Sequence, residues 1–265
     1  MAQNPLADIV NQSGFPLQIG LAEAVRLTTA NHGWRVLYVE HAWRSEEQGT
    51  SGFFDLALQD RHGSSVLVIE CKRVLDTDWI FLQPGTRIRD RRNAKAWVKT
   101  GDYFGWFDPQ LDPVSPESAY CVVRGQNHRE RPMLERVAAE IVCATEALAH
   151  EERALQFQPH DFFRMYMTAI VTTAQLRVCV FPPGEVALSD GTIDNPTFHT
   201  VPYLRFRKQL STRVPLPNAA GAWDAQQQLV EAKEQTVFII NAEALLQFLS
   251  EYELDAESVR PLTRR

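Results

Sequence analysis

Residues 52–73 read GFFDLALQDRHGSSVLVIECKR, two apolar runs closing around a polar turn. The runs predict strands over about 53–59 and 65–72, and the glycine-containing link Asp60–Ser64 predicts the hairpin loop between them. A pleated strand sends successive side chains to opposite faces. Val66, Val68, Glu70 and Lys72 therefore share one face, while Leu67, Ile69, Cys71 and Arg73 share the other. On the partner strand Phe53, Asp55 and Ala57 fall together. A turn centred between His62 and Gly63 sets Asp55 opposite Glu70, with Cβ atoms roughly 5 Å apart. Two carboxylates that close repel, and one is driven toward protonation unless a cation lies between them.

Magnesium suits such a place, because it is a hard cation that takes one or two protein carboxylates and completes its shell with water or phosphate. Lys72, two residues beyond Glu70, reaches the same space. There it can orient or deprotonate an attacking water and neutralise charge on a transition-state phosphate. The competing reading is a structural ion pair buried in a strand. The chain supplies a control for that choice: Glu231-Ala232-Lys233 has the same spacing, but it lies in DAQQQLVEAKEQ, a polar stretch of good helix formers. Glu70 and Lys72 differ in being led by four apolar residues, Val66 to Ile69.

The pattern Asp55, then Glu70-Cys71-Lys72 resembles the PD-(D/E)XK nuclease superfamily, whose fold is restriction-endonuclease-like. The match covers roughly residues 15–75, with an N-terminal helix and a strand ahead of the two motif strands. Phe54 stands where many members have proline, and no Q-x-x-x-Y element follows the lysine strand, which weakens the link to the RecB-like exonuclease branch. The resemblance implies that Asp55 and Glu70 hold a divalent metal, Mg²⁺ with Mn²⁺ substituting, and that Lys72 sits near the nucleophilic water. It also implies the backbone carbonyl of Cys71 as a metal ligand and Glu23, in the first helix, as an additional acidic ligand. Gln18 on the same helix competes with Glu23 for an inward role. The expected activity is a divalent-metal-dependent DNA endonuclease, and a homodimer would let both strands be cut. The alternative is a catalytically inactive module of this fold that binds nucleic acid or a partner protein. A third class, a hydrolase other than a nuclease using the same carboxylates, fits the residues as well.

The rest of the chain is expected to form one α/β domain over 1–265, a mixed β-sheet flanked by helices with an aromatic-rich insertion. PLQIGLAEAVRLTTANHGW reads as a helix, WRVLYVEHAW as a strand. Residues 76–118 carry many aromatics and close on FDPQLDPVSPES, which predicts loops with a short helix. A strand over 119–123 and a long helix over about 131–156 follow, the helix with Leu134, Val137, Ala138, Ile141, Val142, Thr145 and Leu148 on its apolar face. FRMYMTAIVTTA, LRVCVF, PYLRFRKQL and QTVFIINA predict strands in the half spanning 162–250, and EALLQFLSEYEL a helix.

Arg87, Arg89, Arg91, Arg92 and Lys95 cluster around 87–99 with Trp97 among them, an expected phosphate-binding segment with a base-stacking tryptophan. Tyr203–Lys208 alternates apolar and cationic residues as a half-exposed strand does. His160-Asp161 is adjacent rather than facing, and suggests no catalytic pair. Four scattered cysteines without ligand spacing argue for reduced thiols and no zinc ribbon. The net charge of −6 argues against coating nucleic acid non-specifically. No apolar run is long enough to span a bilayer and the N-terminus has no signal-peptide pattern, so a cytoplasmic protein with no membrane partner is expected.

Overall fold

The computed structural model describes residues 5–46, 49–125, 132–155, 163–210 and 229–263. Helices α1 (Pro5–Gln12) and α2 (Phe15–His32) come first. Helix α2 carries a proline in its first turn, where a missing amide costs little, and stops at Gly33. Gly33 takes a φ of 78°, which favours glycine, and its N–H caps Thr29 O at 2.7 Å. Strands β1 (Arg35–Ser45), β2 (Thr50–Gln59) and β3 (Ser65–Lys72) follow as an antiparallel meander.

The segment after β3 forms β4 (Asp78–Pro84), β5 (Asp90–Asn93), β6 (Ala96–Lys99), β7 (Phe104–Phe107), β8 (Gln110–Ser118) and β9 (Tyr120–Val123). Helix α3 (Met133–Glu151) then leads to β10 (Arg164–Thr172) and β11 (Gln175–Phe181). Short strands β12 (Val186–Ala187), β13 (Thr192–Ile193) and β14 (Thr197–Thr200) precede β15 (Tyr203–Gln209) and β16 (Glu234–Asn241). The chain closes on α4 (Leu245–Glu251), β17 (Glu253–Leu254) and α5 (Ala256–Thr263).

The architecture is mixed α/β, a mixed sheet flanked by helices. Its main path runs β1-β2-β3-β10-β16-β15-β8-β17. Strand β10 lies parallel to β3 from Met165 beside Ser65 to Thr172 beside Lys72, and β16 is parallel to β10. All nine residues of β10 are buried, as expected for a parallel strand covered on both faces. One core lies under α3, holding Val66, Val68 and Ala57 with Leu134, Ala138 and Ile141. The other lies under α2 and α4, holding Leu56, Leu67 and Ile69 with Leu21, Val25 and Phe248. A second sheet, β14-β11-β4-β9, contributes Trp79, Phe81 and Leu176 to the α3 side.

Asp60 builds the hairpin turn. Its carboxylate accepts from Ser65 N at 3.1 Å and Ser64 Oγ at 2.9 Å, while Gly63, at φ 74°, donates its N–H to Asp60 O. The resulting register pairs Leu56 with Ile69, Ala57 with Val68 and Leu58 with Leu67, as a turn centred between His62 and Gly63 dictates.

Three expectations are corrected here. Residues 76–118 form strands β4–β8 rather than loops with a helix. The prolines of β8 hid a strand whose pairings are short and piecemeal: two residues with β15, two with β17, and an irregular register with β5. Trp97 cannot stack on a base, because it is buried on β6 against Phe104, Trp106 and the His150 ring. The strand Tyr203–Gln209 is not half-exposed at its centre: Arg205 is fully buried, donating to the carbonyls of Pro113, Leu111 and Arg92. One of its terminal nitrogens also donates to Ser115 Oγ, and a guanidinium bonded in this way survives there where a lone charge would not. His160 and Asp161 lie outside the described residues, as do the extreme ends of the helix expected over 131–156.

Candidate functional site

The charged residues of the opening hairpin meet where β2 and β3 part. Lys72 Nζ donates to Glu70 Oε1 at 2.6 Å, both side chains being partly exposed. Val66 and Val68 belong to the core under α3, so the pleat turns Glu70 toward the same helix. Asp55 Oδ2 accepts the backbone N–H of Cys71 at 2.6 Å. Asp55, Glu70 and Lys72 are thus brought together, with Asp55 tied to the peptide between the other two.

Asp55 holds an unusual position in the sheet. The β1–β2 register passes from Val39 with Leu56 to His41 with Phe54, skipping Glu40 and Asp55. The β2–β3 register ends at Leu56 with Ile69. Asp55 therefore falls opposite Glu40 between two paired positions of β1–β2, and one residue beyond the last β2–β3 pair. Side-chain alternation also breaks there, since Phe54 packs in the same core as Ala57 rather than with Leu56. The simple pleat that placed Phe53, Asp55 and Ala57 on one face fails at this point. Glu40 carries part of the cause, with a φ of 48° that is costly for a residue bearing a Cβ.

The Cys71 backbone faces the same gap. Ser64 O and Lys72 O both accept from β10, so carbonyls of even-numbered residues on β3 turn toward β10 and those of odd-numbered residues toward β2. Cys71 O thus faces β2, on the side where its own N–H meets Asp55. Its thiol packs against the core under α2 but also hydrogen-bonds the Asp55 carboxylate, so it is not turned fully away from the site as the pleat predicts. Burial first, and the charges of Asp55 and Glu70 next, push that thiol far above its ordinary range, which keeps it protonated and unreactive.

Electrostatically the site is short of positive charge. Burial raises the Asp55 carboxyl above its ordinary value, offset in part by the Cys71 N–H and Lys72, with Glu40 adding to the rise. Burial also raises Glu70, and the neighbouring Asp55 charge adds to that rise, against the pull of Lys72. Glu140, on α3, adds a further negative influence on Glu70. Glu40 and Glu140 were not singled out by the sequence. Each lies far along the chain from the motif, and only the β1–β2 register and the packing of α3 place it nearby.

The remaining candidates fall elsewhere. Glu23 faces solvent on α2, 3.7 Å from Arg26 on the next turn, and is not part of the group. The inward residue of that helix is Gln18, whose Nε2 donates to Asp55 O at 3.2 Å. Part of the basic segment is engaged within the fold: Arg91 pairs with Glu117, Arg92 with Asp112 at 2.7 Å, and Lys95 donates to Glu231 O. The backbone of Arg89 clamps the Gln83 side chain, and Arg87 is exposed in the same turn. Strand β5 pairs with β8, five steps from β3 along the sheet path. Glu231-Ala232-Lys233 lies in helical backbone, as its composition predicted.

Among the described residues no three His, Cys, Asp or Glu side chains form a ready-made cation cage. Two carboxylates and one carbonyl would leave half of a six-coordinate shell to water and substrate, an arrangement that suits magnesium. Comparisons with family models, curated proteins and solved structures found no match. No described helix is long and apolar enough to cross a membrane.

Proposed function

We propose that the protein is a divalent-metal-dependent nuclease with a restriction-endonuclease-like core, cutting DNA internally. The observation that carries this reading is the meeting of Asp55, Glu70, Lys72 and the Cys71 carbonyl in one gap at the ends of β2 and β3. The element order is compatible with it: helices, a three-stranded meander, an insertion of strands β4–β9, a helix, then a strand parallel to the one bearing Glu70 and Lys72. Open sheets with parallel strands bind ligands beyond the carboxyl ends of those strands, and Glu70 and Lys72 lie at that end of β3.

Asp55, Glu70 and Cys71 O would hold Mg²⁺ or Mn²⁺, which would supply Lewis-acid stabilisation of the scissile phosphate. Burial that leaves two carboxylates short of positive charge favours cation uptake. Lys72, now bonded to Glu70, would turn to the attacking water and the phosphate oxygens, where its charge offsets that developing in the transition state. Water adds at phosphorus as the bond to the leaving ribose oxygen breaks, and the proton lost by water balances the one gained by that oxygen.

Supercoiled plasmid incubated with the protein and Mn²⁺ is expected to be nicked or linearised, and Lys72→Ala to abolish this while remaining folded. A wild-type protein inert on plasmid and single-stranded DNA with either metal overturns the assignment. One observation favours a non-catalytic nucleic-acid- or protein-binding module instead: Lys72 is closed onto Glu70. Mn²⁺ binding by calorimetry separates the two, since the module needs no metal.

A further inference from the structure

We infer that Gln18 is the positioning residue that fixes Asp55 for its role, an inference that rests on the metal-site reading above. Asp55 falls between two paired positions of the β1 register, and the β3 register stops one residue short of it. A ligand needs a fixed backbone to present its carboxylate reproducibly. Two bonds from outside β1 bear on this residue. The carboxylate takes the Cys71 N–H from one side, and the Asp55 carbonyl takes the Gln18 amide from the other.

Gln18 is 4% exposed and sits on the buried face of α2 with Leu21, Ala22 and Val25. An amide costs free energy in that setting unless it is bonded, and an apolar residue would fill the position more cheaply. Its bond to Asp55 O gives the amide a use there. The bond reaches thirty-seven residues along the chain and ties the second helix to the strand position that carries the carboxylate. Gln18 touches no reacting atom in this scheme. It acts on the peptide that carries the ligand, and through the Asp55–Cys71 bond it also steadies the Cys71 peptide, whose carbonyl faces the same gap.

The test compares wild type with Gln18→Met, which keeps the length and removes the donor. Mn²⁺ affinity is read by calorimetry, Cys71 amide exchange by NMR, and the thermal midpoint serves as a folding check. Outer-shell partners of metal ligands typically carry about ten- to a hundredfold in affinity. Gln18→Met is expected to weaken Mn²⁺ by that factor and to speed Cys71 exchange several-fold, with little further effect on Mn²⁺ in an Asp55→Asn background. A purely space-filling Gln18 would shift the thermal midpoint alone, and unchanged affinity and exchange overturn the inference. Gln18→Asn, one methylene too short to reach the carbonyl, gives the same readout should the methionine variant not fold. A wild type that binds no Mn²⁺ overturns the metal reading itself, and Cys71 exchange in Gln18→Met then decides separately whether Gln18 holds Asp55.

Discussion

The molecule contains two partly or fully buried groupings of carboxylate and cation near β3 and β10, and they are built on opposite plans. At the start of β10, Glu152 accepts from Arg164 Nε at 2.8 Å, Tyr166 Oη at 2.7 Å and Tyr38 Oη at 2.9 Å. Lys99 Nζ donates to the Glu152 carbonyl, and Glu152 itself is 4% exposed. At the far end of β3, Glu70 has one cation at 2.6 Å, and Asp55 has one backbone N–H. The first group saturates its carboxylate and binds the end of α3 to three strands. The second leaves its carboxylates desolvated, mutually repelling and open to solvent on one side. Saturation marks a fastening, and shortage of positive charge marks a place prepared for something to arrive.

That contrast can be broken in several ways. The largest effect is expected from Lys72→Ala, which should lower metal-dependent cleavage by about 10²–10⁴-fold with a thermal midpoint close to that of wild type. A plasmid-nicking assay beside a melting curve checks it. Glu152→Ala should do the reverse. Removing one partner of a buried pair costs about 3–5 kcal/mol, visible in urea unfolding, while any cleavage that survives at low temperature keeps its metal dependence.

The pH response sharpens the same distinction. Asp55 and Glu70 are raised by burial, so the folded chain binds protons that the unfolded chain releases over the range just above the ordinary carboxylate values. Metal-free stability should therefore fall as pH rises through that range. Asp55→Asn with Glu70→Gln should flatten this dependence and raise the metal-free midpoint at neutral pH, the usual exchange between stability and a strained site. Adding Mg²⁺ should raise the midpoint of wild type and leave that variant unmoved. The smallest effect is expected from Arg91→Ala: an exposed pair 3.7 Å from Glu117 contributes about 0–1 kcal/mol. DNA retention on a filter should barely change, because β5 lies remote from the gap between β2 and β3.

Much of the site could be read from one stretch of sequence. A five-residue turn with Asp60 and Gly63 fixes the hairpin register, and the pleat then fixes which side of β3 Glu70 and Cys71 take. Long-range partners could not be read in this way. Glu23 and Gln18 both lie on α2, and local pattern does not say which turns inward. Burial decides it, and Gln18 is the one that reaches Asp55. The insertion misled for a related reason: prolines in β8 and scattered aromatics in β6 and β7 carry no period of their own, and β6 and β8 also rely on distant partners in β10 and β17.

The sequence by itself determined the meander, the long helix α3, the apolar strands β10 and β16, and the convergence of Asp55, Glu70 and Lys72. These follow from side-chain period and a short turn, which act within a few residues. Only the tertiary structure decided that Gln18 bonds the Asp55 carbonyl, that Glu40 and Glu140 add negative influence, and that Arg91, Arg92 and Lys95 are engaged elsewhere. Those outcomes depend on which strands become neighbours across the whole chain, and hydrogen-bond registry between distant segments leaves no mark in local spacing.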